Sequence, residues 1–139
     1  MVEHVLRLLP GEDLLETVDN YCQKYKIEAA FIGTCVGSLS QVSFRKGVTR
    51  HQLTLKGNYE IVSMEGTVSK GGNHIHASVS DLDFNVRGGH LMYGTIVQTT
   101  AELVIIELES YELSRSKDIL SGFKSLEIRE IREAKGNGN

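Results

Sequence analysis

Three of the five histidines in this 139-residue chain lie close together, a spacing that favours a shared chemical site. Two of them belong to the segment Gly71–Ser80, and the third follows the pair Gly88-Gly89. Side chains alternate across a β-strand, so His74 and His76 share one face of the first segment. The opposite face carries the apolar residues Ile75, Ala77 and Val79. The pattern predicts a strand that buries one face and presents two imidazoles on the other.

His74, His76 and His90 are the candidate metal ligands of the chain. Residues two apart on a strand have Cα atoms about 6.5 Å apart, so both imidazoles can reach one ion at about 2.0–2.1 Å. His90 can supply a third nitrogen from an adjacent strand, because Gly88-Gly89 lets the backbone approach closely. Three neutral nitrogens with an open fourth position suit Zn²⁺ best, or another first-row divalent ion. The carboxylates that could orient the imidazoles are those of Asp81, Asp83 and Glu102.

A second interpretation of the same histidines is structural. They would then be hydrogen-bonded polar groups at the rim of a sheet or at a subunit interface. The sequence identifies no catalytic residue, because Glu102, Asp81 and Asp83 are equally typical of a strand end and a turn. No nucleophilic serine or cysteine constellation accompanies the histidines. Gly71-Gly72 and Gly88-Gly89 precede no predicted helix, so they indicate turns rather than a phosphate-binding loop.

The elements that must position these histidines are mostly β-strands. One helix is predicted after Pro10-Gly11, with acids in its first turn and an apolar face of Leu14, Leu15, Val18, Tyr21, Cys22 and Tyr25. Strands are predicted at residues 2–9, 29–36, 41–45, 51–55, 59–69, 74–80, 90–99, 101–109 and 126–131, and a loop or short helical turn at 111–121. The predicted fold class is α+β, a mostly antiparallel sheet of about seven or eight strands with one main helix packed on it.

Three further features of the chain bear on its surroundings. The strand at 101–108 is more apolar than a half-buried strand requires, so it is either central in the sheet or covered by another subunit. A net charge of −3 provides no overall positive field for nucleic acid. Cys22 and Cys35 lack metal-ligand spacing and are predicted to be buried, reduced thiols.

The length and pattern of the chain predict a single domain over residues 1–133 and a disordered C-terminal tail over 134–139. There is no signal-peptide pattern, and no apolar run approaches the roughly 20 residues that a membrane span needs. We therefore expect a cytoplasmic protein without membrane contact.

Several blocks of the sequence, taken in order, resemble the plant-and-prokaryote conserved (PPC) domain. They extend over about residues 2–131 and comprise Arg7–Leu14, Gly37-Ser38-Leu39, Tyr59–Thr67, the His74-x-His76 strand, Gly88–Leu91, Thr99–Val104 and Gly122-Phe123-Lys124. The resemblance implies an α+β domain that assembles as a homotrimer, which would account for the surplus apolar strand. It also implies a loose association with DNA, since plant members carry the domain beside AT-hook motifs. This chain has no Arg-Gly-Arg-Pro, and its one proline is Pro10, so the plant minor-groove segment is missing.

Together these features predict a homotrimeric PPC-domain protein that acts as a DNA-associated or regulatory binding module. Its expected site holds a divalent metal, zinc by preference, or a small ligand at His74, His76 and His90. The expected partners are further copies of the chain, DNA or DNA-bound proteins, and a small-molecule ligand. The alternative is a metal-dependent enzyme, a hydrolase or lyase that acts on a small molecule. An enzyme is the less favoured of the two, because no acid–base group stands out beside the histidines.

Overall fold

The computed structural model describes residues 1–131, which form one helix and eight strands. In chain order these are β1 (Val2–Leu8), α1 (Leu14–Lys24), β2 (Ala29–Arg45), β3 (Gln52–Ser69), β4 (Gly72–Ser80), β5 (Val86–Leu91), β6 (Ile96–Glu107), β7 (Tyr111–Lys117) and β8 (Lys124–Glu130). Six strands form one antiparallel sheet in the order β1-β6-β2-β3-β4-β5, and β7 pairs with β8 in a separate hairpin. The predicted α+β class, with a mostly antiparallel sheet and one helix, is confirmed.

The end of β2 also pairs with β5, which closes strands β2 to β5 into a ring of pairings. Phe44 lies opposite Leu91 and Arg45 opposite His90 in this pairing. The ring brings β2, an early part of the chain, beside the strand that carries His90. This closure determines which side chains surround the histidines.

Helix α1 follows Pro10-Gly11 as predicted, and it begins at Leu14 because Asp13 caps its first turn. One carboxylate oxygen of Asp13 accepts a hydrogen bond from the Glu16 N–H at 3.1 Å. The other accepts from the Gly94 N–H at 2.7 Å, so one side chain joins the start of the helix to the turn before β6. The apolar face of the helix packs into the core through Leu14, Leu15, Val18 and Cys22. No helix among residues 1–131 is long and apolar enough to cross a membrane.

The apolar strand β6 lies between β1 and β2, which agrees with the first of the two predicted alternatives, a central place in the sheet. On one face, Leu103 and Ile105 are fully buried in the core. The other face points outward and forms an apolar surface with neighbouring strands, because Val5 lies opposite Val104 and Phe31 opposite Ile106. We call this surface the outer strip, and it consists of Val5, Phe31, Val36, Val104 and Ile106.

Several predicted strand boundaries are wrong. Residues 29–36 and 41–45 belong to the single strand β2, and residues 51–55 and 59–69 to β3 apart from His51. Gly37 does not end β2. A Cβ at Gly37 would lie 2.1 Å from the carbonyl oxygen of Thr100, so this glycine allows β6 to approach closely. The break predicted at residue 100 lies instead at residues 92–95, where Gly94 has φ of +93° and its N–H is bound by Asp13.

The segment 111–121, predicted as a loop or short helical turn, is largely strand β7. It pairs along its whole length with β8 around a turn at residues 118–123. Its local pattern is weak because Leu113 is its one buried side chain. The hairpin is attached to the main sheet by the Lys70 N–H, which donates to the Leu113 carbonyl at 2.9 Å. The predicted disordered tail at 134–139 lies outside the described residues.

Both cysteines are buried and free, as predicted. Burial raises the pKa of the Cys22 thiol to about 11 and that of the Cys35 thiol to about 12. The nucleophilic thiolate is therefore disfavoured at both positions, which fits two core residues rather than reactive groups.

Candidate metal centre

Strand β4 presents His74 and His76 on the outward face of the main sheet. Between them Ile75 is 2% exposed and lies in the core, so the predicted alternation is confirmed. His90 of β5 lies directly opposite His76, and Thr67 of β3 lies opposite His74. Side chains directly opposed on neighbouring antiparallel strands point to the same face. The fold therefore brings all three predicted site histidines together.

The three imidazoles converge to within reach of a single metal ion. Nε2 of His74 lies 3.2 Å from Nε2 of His76, and the centroids of the three rings are 4.9 to 5.5 Å apart. One nitrogen from each ring lies within 4.8 Å of the corresponding nitrogens of the other two. Ligand atoms around tetrahedral zinc are about 3.3 Å apart, given bonds of about 2.0–2.1 Å. Small side-chain rotations would thus complete a three-nitrogen site.

Two glycines bring the flanking strands close to β4. A Cβ at Gly66 of β3 would lie 2.3 Å from the carbonyl oxygen of His74, and one at Gly88 of β5 would lie 2.6 Å from that of Ala77. The sequence predicted a close backbone approach at the Gly88-Gly89 pair, and the structure places that approach at Gly88. At Gly89 a Cβ would meet its nearest atom at 3.8 Å, an ordinary contact.

The environment of His90 and His74 disfavours their charged forms. The pKa of His90 is lowered to about 4, chiefly by burial and also by the charge of Arg45, by the neighbouring imidazoles and by the charge of Arg115. Burial also lowers the pKa of His74, with contributions from His76 and the same two arginines. Neutral imidazole is the form that binds a metal ion, so the lowered pKa of His90 preserves its ligand state even in mildly acidic solution.

The residues present fit a divalent metal ion. Nδ1 of His90 is buried and has no hydrogen-bond partner among the described residues. Buried polar atoms are normally satisfied, so a nitrogen of this kind indicates a missing partner. The donor set of three imidazole nitrogens is also the one that zinc and its first-row neighbours prefer. The identity of the ion stays a prediction.

The carboxylates predicted to orient the imidazoles, those of Asp81, Asp83 and Glu102, lie outside the histidine group. Asp81 accepts hydrogen bonds from the backbone N–H groups of Asp83 and Asn85, at 2.9 and 3.0 Å, in the turn after β4. Glu102 lies on β6, opposite Arg7 of β1. Neither side chain joins the histidine group.

Three charged residues beside the histidines escaped the sequence analysis. Glu65 of β3 lies opposite His76, and Arg45 of β2 lies opposite His90. Arg115 of β7 donates from Nη2 to the hydroxyl oxygen of Thr67 at 3.1 Å, next to His74. Each comes from a different strand, so no local spacing in the sequence could have indicated them.

The comparisons with known proteins establish the family. The family model described as the Plants and Prokaryotes Conserved (PCC) domain matches residues 1–109, most of the chain. The chain therefore belongs to this family, as its sequence blocks suggested. The matched region contains all three histidines and ends before the β7–β8 hairpin.

Two curated relatives share a sequence segment with this chain. The bifunctional protein GlmU of Synechococcus sp. (strain JA-3-3Ab) is 35% identical over 129 residues, which cover 93% of this chain and 21% of that protein. The chain thus spans about a fifth of the length of the curated relatives it matches.

Solved structures share the fold. A hypothetical protein from Salmonella enterica (Salmonella cholerae-suis) is 37% identical, with a TM-score of 0.89 over 93% of this chain and 94% of that one. A metal-containing protein from Archaeoglobus fulgidus is 25% identical, with a TM-score of 0.73 over 90% and 92%. A protein from Ralstonia eutropha whose name calls it a putative DNA-binding protein is 23% identical, with a TM-score of 0.77 over 88% and 89%.

Proposed function

We propose that this chain is a homotrimeric binding module whose histidines hold a divalent metal ion, zinc or another first-row ion. The observation that carries the proposal is the convergence of one nitrogen from each of His74, His76 and His90 within 4.8 Å. Three imidazoles leave a tetrahedral ion with one open position, to which a small ligand or partner can bind. When bound, such an ion acts as a Lewis acid toward the group that fills this position.

The fold determines where the three imidazoles lie and favours the neutral form of His90. Pairing of β4 with β3 and β5 sets the spacing of the imidazoles, and burial disfavours protonated His90. That a structurally similar protein from Archaeoglobus fulgidus is named a metal-containing protein agrees with this proposal.

The outer strip supports the trimeric part of the proposal. Its residues are apolar, and Val5 and Val36 are 74% and 54% exposed in the single chain. Clustered apolar side chains on an outward sheet face mark surfaces that other proteins cover. The occupant we propose is further copies of this chain, which would also place the surplus apolar residues of β6 away from water.

Metal analysis tests the site directly. Wild-type protein purified without chelator and dialysed after exposure to stoichiometric Zn²⁺ is expected to retain about one ion per chain. His76→Ala removes one of three ligands and should weaken binding at least about 100-fold, more than the loss of an orienting neighbour. His51→Ala is the matched control, because His51 is exposed outside the cluster. A wild-type protein that retains no Zn²⁺, Co²⁺ or Mn²⁺ would contradict the proposed metal site.

Association with DNA, directly or through a DNA-bound protein, is the second candidate. Two observations suggest it: the similar protein from Ralstonia eutropha is named a putative DNA-binding protein, and the sequence resembles a family associated with DNA. The charge of the chain, −3, opposes long-range attraction to phosphate. Fluorescence anisotropy with a duplex, measured across salt concentrations, tests it, and affinity that falls steeply with salt would support it. No binding at physiological ionic strength would remove direct DNA contact.

The alternative of a metal-dependent hydrolase or lyase depends on an acid–base group near the ion. Glu65, opposite His76 in the pairing of β3 with β4, is the carboxylate that the fold places in that position. Activity that requires Zn²⁺ or Mn²⁺ and is lost in Glu65→Gln, while metal content stays unchanged, would favour the enzyme.

A further inference from the structure

We propose that the candidate metal centre takes a small organic carboxylate, whose oxygens are bound by Arg45 and Arg115 beside the three histidines. This inference rests on the proposed metal site and names the class of ligand for its open position. Unpaired guanidinium donors and a cavity lined by His90 and Arg45 carry the proposal.

Arg115 has an unsatisfied donor at this site. Its Nη2 binds Thr67, but its Nε is buried and has no hydrogen-bond partner among the described residues. Leaving a buried donor unpaired costs about 1–3 kcal/mol, and more for a charged group. In residues 1–131, three buried side-chain atoms are unpaired in this way, and two of them, His90 Nδ1 and Arg115 Nε, belong to this site. A metal ion would satisfy the nitrogen, whereas only an acceptor such as an anionic oxygen would satisfy the guanidinium.

Arg45 approaches the histidines from the other side, opposite His90. Its Nε donates to the Gly47 carbonyl at 2.8 Å, and its two terminal amino groups have no hydrogen-bond partner within residues 1–131. A guanidinium with free terminal donors matches the geometry of a carboxylate.

A cavity of about 220 Å³ adjoins His90 and Arg45 and can accept the body of the ligand. Its apolar wall consists of Leu15, Ile75, Leu91 and Met92. Asp19 also faces the cavity, but its oxygens already accept hydrogen bonds from the Asn73 amide and the Tyr93 hydroxyl. A cavity of about 150 Å³ holds benzene, so this one suits a body of roughly the size of a substituted benzene. A hydrocarbon wall beside a guanidinium favours an organic carboxylate over an inorganic anion.

Titration of the Co²⁺-loaded protein tests the proposal, with benzoate as the probe. Benzoate is expected to bind and to change the visible absorption of the bound ion, while the neutral isostere benzamide binds at least about tenfold more weakly. Arg45→Gln and Arg115→Gln should each weaken benzoate binding at least about tenfold, with unchanged cobalt content. Arg50→Gln is the matched control, since Arg50 is exposed in the turn between β2 and β3.

Three results would overturn the carboxylate proposal: equal affinity for benzamide, tighter binding of inorganic phosphate than of benzoate, or arginine variants that bind benzoate like the wild type. A protein that takes up no cobalt contradicts the metal site instead. In that case the same titration is carried out by calorimetry on the metal-free protein. Benzoate binding that depends on Arg45 and Arg115 would then sustain the carboxylate site, and its absence would overturn it.

Discussion

Among single residues, His90 combines the most constraints in this protein. It is half-buried, lies opposite both His76 and Arg45 on the two strands that flank it, and has one ring nitrogen without a partner. Burial and positive neighbours act in the same direction, and both disfavour its charged form. The price of this arrangement is a dependence of stability on pH.

We expect the metal-free protein to lose stability as the pH falls below about 6.5. An unfolded histidine binds a proton near pH 6.5, whereas folded His90 has a pKa of about 4, so protonation favours the unfolded chain. The stabilising contribution is present above the unfolded pKa and disappears as the pH falls toward the folded one. Urea unfolding at pH 7.5 and pH 5.5 measures the difference, and His90→Gln should reduce it. An unchanged difference in His90→Gln would contradict the lowered pKa.

At the scale of elements, the site depends on how closely β3 and β5 approach β4. The side chain missing at Gly66 leaves room for the carbonyl oxygen of His74, and the one missing at Gly88 for that of Ala77. These contacts involve backbone atoms, which cannot move without displacing the strand that carries His74 and His76. Glycine at these positions is therefore a condition of the site geometry.

Gly66→Ala is expected to destabilise the protein and to weaken the metal site. The new methyl group would lie 2.3 Å from the carbonyl oxygen of His74, so the strands must separate, at a cost of at least about 2 kcal/mol. Gly89→Ala is the matched control, because its methyl group would meet its nearest neighbour at 3.8 Å and should change stability by less than about 1 kcal/mol. Urea unfolding compares the two variants, and equal free energies of unfolding would refute the close contact.

At the scale of the whole molecule, β6 is apolar on both faces because it serves two surfaces. Its inward residues complete the core beneath α1 and the sheet, and its outward residues Val104 and Ile106 form the outer strip with β1 and β2. A half-exposed sheet needs apolar residues on one face only. The second apolar face is the reason for proposing that further copies of the chain cover it.

Light scattering is expected to give three times the chain mass of 15.4 kDa for the wild-type protein. Val5→Glu and Val36→Glu place a charge on the outer strip and should reduce the mass toward that of one chain, since an unpaired charge in an apolar interface is costly. Val48→Glu is the control for Val5→Glu, because the two valines are 75% and 74% exposed but Val48 lies in the turn after β2. A monomeric wild type would contradict the homotrimer.

The strand that carries His74 and His76 shows how much of the structure the local sequence pattern could predict. Strict alternation around Ile75 predicted the strand, its outward face and the placement of His74 and His76 on that same face. It could do so because the period of a strand is a local property of the backbone. The same reasoning failed for β7, whose polar residues carry no clear period, and at Gly37, where a glycine serves close approach rather than a turn. In both cases the deciding contact lies far away in the chain.

What the sequence determined by itself was the class of the protein and the identity of the three candidate ligands. Ordered sequence blocks indicated the family, and residue type and spacing selected His74, His76 and His90. Only the tertiary structure decided what surrounds them. Arg45 arrives through the pairing of β2 with β5, and Arg115 through the hairpin that docks against β3. Charge and burial act through space, so the pKa of His90 and the unpaired guanidinium donors follow from the closed arrangement of strands and not from neighbours in the chain.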